Sequence, residues 1–165
     1  MNIKEAKDEI KRAITSYLEK DEFGDYVISR VRQRPVLLIG DPGIGKSTLT
    51  MQLMDRVAGQ GNVLYISGEE SKGQIRNRAE RLGVSSNRIH VMTENNVEIL
   101  DAIVRGQKWD LLVIDSVQTM FDPAVQSAPG SVSQLRAVTA VCMGWAKGVG
   151  IPSVLIGHVT KDGSV

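Results

Sequence analysis

A lysine and a hydroxyl, Lys46-Ser47, close the run Gly40-Asp41-Pro42-Gly43-Ile44-Gly45-Lys46-Ser47, directly after the apolar stretch Val36–Ile39. The spacing is that of a phosphate-binding loop, G-x-x-x-x-G-K-[ST], in the strand, loop and helix order that gives the pattern meaning. Polyphosphate carries several negative charges, and successive backbone N–H groups can wrap it only where side chains stay clear. Gly40, Gly43 and Gly45 supply such a backbone. A helix opening at about Lys46 aims its free N–H groups and positive dipole end at the same phosphates. Lys46 is expected to reach the β- and γ-phosphates, and the Ser47 hydroxyl to ligate Mg2+. Asp41, Ile44 and Thr48 belong to the same contact run. A Gly-rich turn that binds nothing is the bland alternative. The strand before the loop, the Lys-Ser pair and the apolar helix after it favour nucleotide binding.

Three carboxylates could complete the chemistry. Asp115 closes the apolar run Leu111–Ile114, the form expected of an aspartate that holds Mg2+ directly or through water. Glu69 and Glu70 follow the apolar run Val63–Ile66 after Gly68. A carboxylate there can orient and deprotonate the water that attacks a γ-phosphate, and Glu69 is the preferred base. The alternative is a pair of solvated charges that favour the dipole of the next helix. His158 ends the last apolar run, where it would sense the γ-phosphate or serve as a satisfied structural histidine. Ser116 would bond the metal's water or cap its turn.

These residues need a frame, and the hydrophobic pattern supplies one. Residues 3–20 have the periodicity of an amphipathic helix, with Ile3, Ala6, Ile10, Ile14, Tyr17 and Leu18 at three- and four-residue steps. Packing on its own domain is favoured for it over a membrane or partner role. Strand 36–40 and helix 46–58 follow, the helix with Leu49, Leu53, Met54 and Val57 inward. Strand 63–66 precedes a helix that Ser71-x-x-Gln74 opens as a capping box and Gly83 stops. Strand 88–92, a helix at about 96–106 and strand 111–114 come next. A polar loop spans 117–130, and a helix from Ser131 to about Lys147 carries Val132, Leu135, Val138, Val141, Cys142 and Trp145 on one stripe. Strand 153–156 is the last. Continuous apolar strands alternating with helices mean a parallel sheet covered on both faces, with ligands at the strands' carboxyl ends.

The bulk numbers bound the reading. The chain has 165 residues, enough for one domain with a real core, and 42% of them are hydrophobic. A net charge of +1 announces no nucleic acid, and 4% aromatic content gives no obvious base-stacking platform. The single cysteine, Cys142, excludes an internal disulfide and a Cys-rich zinc site. No apolar run is long enough to span a bilayer and no signal-peptide pattern is present, so a cytoplasmic location is expected.

Taken together, Ile39–Ser47, Leu64–Ser71, Arg78–Gly83, Leu112–Ser116, Gln126–Gln134 and Gly157–Ser164 resemble the bacterial RadA/Sms proteins, RecA-like ATPases of recombination and repair. The resemblance covers about residues 38–165. It implies a P-loop NTPase fold, a RecA-like three-layer α/β/α sandwich with a five-stranded, mostly parallel sheet in the order 3-2-4-5-1. It also implies ATP hydrolysis with Mg2+, ring-shaped homo-oligomers and movement on DNA. By the same resemblance Gly45, Lys46, Ser47 and Thr48 bind phosphate, Asp115 holds Mg2+, and Glu69 and Glu70 serve catalysis. The loop 117–130 and the tail after His158 correspond to stretches that face DNA in RecA-like rings, with Lys161 the available phosphate contact, and single-stranded DNA is the partner this implies.

Departures from the family pattern carry expectations too. Residues 1–35, the helix and connector of a single domain 1–165, resemble the opening of a MoxR-like AAA+ ATPase. The family's zinc module, Lys-Asn-Arg-Phe-Gly motif and protease-like domain are missing, which suggests a truncated or engineered fusion and weighs against homo-oligomer assembly. The leading expectation is an ATP-binding core with slow or absent hydrolysis in isolation. Competing with it are a nucleotide-dependent DNA-binding motor module, a small-molecule phosphotransferase and a fold piece without activity. A phosphotransferase would need an arginine-rich lid, and the arginines of 76–81 instead have the spacing of a solvated helix face.

Overall fold

In a computed structural model describing residues 18–20, 26–28 and 35–158, continuous apolar runs become the strands of a sheet whose inner members are buried on both faces. Residues 1–17, which carry most of the expected amphipathic helix, and residues 159–165, with Lys161, lie outside the described residues. Leu18–Lys20 (β1) pairs antiparallel with Tyr26–Ile28 (β2). The helix expected through residue 20 therefore does not reach it. Tyr26-Val27-Ile28 is an aromatic and β-branched run, and its ladder overrides the helical period at Leu18.

The main elements are Val36–Gly40 (β3), Lys46–Ala58 (α1), Val63–Ser67 (β4), Lys72–Arg81 (α2), Ile89–Met92 (β5), Val97–Gly106 (α3), Leu111–Asp115 (β6), Val132–Gly144 (α4) and Ser153–His158 (β7). The strands form one parallel sheet in the order β3-β7-β6-β4-β5. Numbered along the chain from residue 36, the order is 1-5-4-2-3, the expected 3-2-4-5-1 read from the opposite edge. The phosphate-loop strand stands at one edge, where Leu37 is 51% exposed.

The two-residue period of the strands sorts the core into two layers. Leu64, Ile66, Leu112, Ile114 and Leu155 pack with Leu100 and Val104 of α3 and with Val138 and Cys142 of α4. Val63, Tyr65, Leu111, Val113, Val154 and Ile156 pack with Met51 and Met54 of α1 and with Ile75 of α2. Two helices on each face make the three layers. Burial pushes the Cys142 thiol up to about 12, so it is an inert core group.

Local chemistry sets the helix ends. Ser71 and Gln74 form the full capping box of α2, Asn96 caps α3 through Glu98 N–H, and Ser131 caps α4 through Gln134 N–H. Two expectations for α4 need correction. The helix ends at Gly144 and passes into a π-helical turn, Trp145–Val149, which the left-handed Gly150 (φ 77°) stops. Val132 does not join the buried stripe: in the first turn, next to the polar loop and away from the sheet, it is 59% exposed.

Trp145 is fully buried, and its indole N–H donates to Asp101 Oδ1 of α3 at 2.6 Å. That bond chiefly holds the Asp101 carboxyl below its ordinary value; partial burial opposes it, and Arg105, 2.8 Å from both oxygens, assists. A carboxyl depressed in the folded state stabilises the fold above its unfolded pKa of about 4, and that contribution is lost as pH falls through the folded value. Asp101→Ala leaves a buried N–H without an acceptor, and urea denaturation at pH 7 should show a loss of roughly 1–3 kcal/mol. The gap between wild type and variant should close on acidification. An equal gap at pH 7 and pH 3 would contradict this account.

Candidate nucleotide-binding site

Register assembles the site at the carboxyl ends of the strands. Gly40 lies opposite His158, Asp115 opposite Ile156, and Ser67 opposite Asp115. Three neighbouring strands and the turn after β4 thus end around one point.

Lys46 stands at that point and is 4% exposed. Its Nζ donates to the carbonyl oxygens of Gly40 at 2.6 Å and Asp41 at 2.9 Å, and lies 3.1 Å from His158 Nδ1. An ammonium has three hydrogens and no lone pair, so Nδ1 must accept and the ring proton resides on Nε2. Nε2–H in turn points at Glu69, 3.1 Å from Oε1 and 3.3 Å from Oε2. Ser116 Oγ donates to the same Glu69 Oε1. A continuous chain therefore runs Lys46–His158–Glu69–Ser116. Burial pulls the Lys46 ammonium below its ordinary value, while the charges of Asp115, Glu69 and Asp41 oppose that shift.

Asp115 is 3% exposed, and the Tyr65 hydroxyl on β4 donates to its Oδ2 at 3.0 Å. Burial, with the Asp115 charge and this bond, drives Tyr65 far above its usual range, so it remains a donor. The Asp115–Ser116 peptide is cis.

The backbone suits phosphate. Gly43 (φ 82°) and Gly45 (φ 101°) adopt left-handed conformations, and a Cβ on either would meet no atom within 4 Å, so the space over the loop is open. Among the four described α-helices α1 alone lacks a capping side chain, which leaves its first N–H groups free. Ser47 and Thr48, both half-buried, lie in that first turn. The donor set also suits a hard cation: Asp115 commits one oxygen to Tyr65, and Ser47 offers a hydroxyl. Glu69, Asp115 and His158 bring ligand-type atoms within 4.8 Å of one another. With Lys46 on Nδ1, however, His158 presents a hydrogen rather than a lone pair to that space, so the two carboxylates are the donors facing it.

Comparison with known proteins places the chain in a family. A family profile described as an AAA domain matches residues 24–164. The chain belongs to this family. It is 48% identical over 131 residues to the DNA repair protein RadA of Bacillus subtilis, covering 79% of this chain and 29% of the relative. It is 45% identical over 135 residues to RadA of Aquifex aeolicus, covering 82% of this chain and 30% of the relative. The chain thus spans under a third of the length of these relatives. A solved DnaB-like replicative helicase matches with a TM-score of 0.64 at 14% identity, over 79% of this chain and 40% of that one, a likeness of fold. The AAA-domain chain carries a RecA-like core related to that of the RadA repair proteins. Its family match extends across residues 35–39, where a change of resemblance was expected, and gives no support to a MoxR-like opening or a fusion. No helix among the described residues is long and apolar enough to cross a membrane.

The expected site residues divide sharply. Gly40, Asp41, Lys46, Glu69, Asp115 and His158 converge, with Gly43, Ile44, Gly45, Ser47 and Thr48 forming the loop beside them. Glu70 turns away and pairs with Arg78 of α2. That pair corrects the reading of the 76–81 arginines as a solvated face: Arg76 is 80% exposed, whereas Arg78 is 18% exposed.

Sequence reasoning passed over Tyr65, Arg78 and Gln118. Tyr65 carries a faint signal, a polar tip inside an otherwise aliphatic strand. Gln118 sits in a single 3-10 turn, Val117–Thr119, within the expected loop; its Nε2 donates to the His158 carbonyl at 2.9 Å. Farther along, Gln134 is 2% exposed and ties the loop down. Its Nε2 reaches the carbonyls of Asp122, Val125 and Ser127 at 3.0, 2.9 and 3.1 Å, and its Oε1 accepts from Asp122 N–H at 2.8 Å. Gln134→Leu strands these groups, and we expect a loss of roughly 1–3 kcal/mol with faster amide exchange confined to residues 122–131. Unchanged melting and unchanged protection would show that the glutamine does not hold the loop.

Proposed function

We propose that this chain is the ATP-binding core of an ATPase related to DNA repair, taking Mg·ATP over residues 40–48 and hydrolysing it slowly when alone. The observation that carries the reading is the buried Lys46 ammonium at the mouth of an uncapped helix, with Asp115 and Glu69 beside it. Phosphate oxygens would replace the Gly40 and Asp41 carbonyls and His158 as partners of Lys46 while the N–H groups of 43–48 wrap them. Ser47 and Asp115 would hold Mg2+, which when bound neutralises charge on the β- and γ-phosphate oxygens.

Glu69 is the base in this scheme. Its carboxylate is held by His158 and Ser116, ready to orient water and take its proton. Departure of Lys46 toward phosphate removes the donor at His158 Nδ1, so nucleotide occupancy reaches Glu69 through the imidazole. A cation supplied by a neighbouring subunit of a ring, worth roughly 10³–10⁵ in rate where one exists, would be needed for full turnover. Equilibrium binding of Mg·ATP tests the core of the proposal: Lys46→Ala should weaken affinity roughly 10–100-fold. An unchanged affinity would remove the loop from the site. Glu69→Gln should keep binding and lower hydrolysis by roughly 10²–10⁴-fold.

A nucleotide-dependent single-stranded DNA-binding role is the second reading. It is favoured by the Gln118 bond, which ties the strand end at His158 to the start of the 117–131 segment, and by the repair role in the relatives' name. It predicts DNA affinity that requires nucleotide and falls steeply with salt. Failure to shift single-stranded DNA at low salt with ATP present would dispose of it.

A further inference from the structure

The turn after β4 is over-determined, and adjacent carboxylates leave it in opposite directions. Gly68 packs so closely on Thr119 that a Cβ would lie 2.8 Å from the Thr119 Cβ. Ser67 Oγ accepts from Glu70 N–H at 3.2 Å, and Ser71 caps α2. Between these fixed points Glu69 meets His158 and Ser116, whereas Glu70 Oε1 is taken by Arg78 Nη2. The Glu70–Arg78 pair is only 22% and 18% exposed, and Glu70 Oε2 and Arg78 Nη1 are buried without partners. A half-desolvated pair that makes one contact of two possible is a poor source of stability. It is, however, an effective constraint, because removing either member leaves the other charge buried and alone.

We propose that Glu70 and Arg78 are positioning residues for Glu69: their ion pair pins the 68–71 turn to α2 and thereby aims the neighbouring carboxylate at His158. The doubled glutamate then contains one base and one anchor rather than two interchangeable bases. This rests on the reading of Glu69 as the base, but the pair's effect on Glu69 is measurable without ATP. The chain has two histidines, His90 and His158, so the side-chain nitrogen spectrum of the nucleotide-free protein has few signals to assign.

Wild type should show His158 as the Nε2–H tautomer with a slowly exchanging, hydrogen-bonded proton. In Arg78→Ala and in Glu70→Ala, Glu69 loses its aim, and that proton should move upfield and exchange faster. The double variant should add little to either single change. Arg78→Lys should restore part of the signal, and it is the variant to read should Arg78→Ala not fold. An unchanged His158 Nε2–H in a folded Arg78→Ala protein would overturn the proposal. Hydrolysis provides a second arm: Glu70→Gln and Arg78→Ala should lower kcat roughly 10–100-fold with little change in KM, a misplacement effect. Glu70→Gln as damaging as Glu69→Gln would also overturn it. Absence of hydrolysis in wild type would instead count against the ATPase reading, and the histidine spectrum would still decide the role of the pair.

Discussion

Burying an ammonium is the constraint from which the arrangement of this molecule follows. Taking Lys46 to 4% exposure forfeits most of its hydration, an effective cost of several kcal/mol unless the surroundings replace it. The replacement is built from backbone and strand ends rather than from one counter-ion: two loop carbonyls, an imidazole nitrogen, and the charges of Asp115, Glu69 and Asp41. No single element contributes more than part of it. The loop must therefore fold back on β3, β7 must end level with β3, and β6 must stop at its aspartate. The pairing of Gly40 with His158 and the position of Asp115 opposite Ile156 meet that requirement.

The same requirement orders the side chains that surround the lysine. An ammonium on Nδ1 fixes the His158 tautomer, the tautomer gives Glu69 a donor, and Ser116 supplies another. Tyr65, fully buried on β4 beside the central strand, keeps its proton and fastens one oxygen of Asp115. Each of these groups is oriented by a hydrogen bond from a neighbour.

Much of this was legible in the residues, and the boundary between what was and was not has a physical origin. The strand, Gly-rich loop and helix order, the strand-end aspartate and the strand order depend on local spacing and on apolar runs, and sequence displays both directly. Gln118, Tyr65 and Arg78 act through residues 40, 50 and 8 positions away, and no periodicity marks such pairs. Leu18–Lys20 shows a different failure: a helical period was genuine there, but a neighbouring β-branched run offered a competing ladder. Val132 fitted its stripe by spacing and still faces solvent, while Gln134 in the same first turn is buried against the polar loop.

Glu69 and Glu70 show how far residue type falls short of role. They share chemistry and adjacency, and either can be drawn as a base on paper. The bend after β4 separates them, because each carboxylate leaves it toward a different set of partners. One side holds a histidine and a serine hydroxyl; the other holds a guanidinium on the following helix. A carboxylate facing neutral donors keeps lone pairs that water can use, while one committed to a buried cation has its charge already compensated. The proposed division of roles thus rests on the partner that the fold provides rather than on the amino acid, with Arg78 of α2 the group that separates the two.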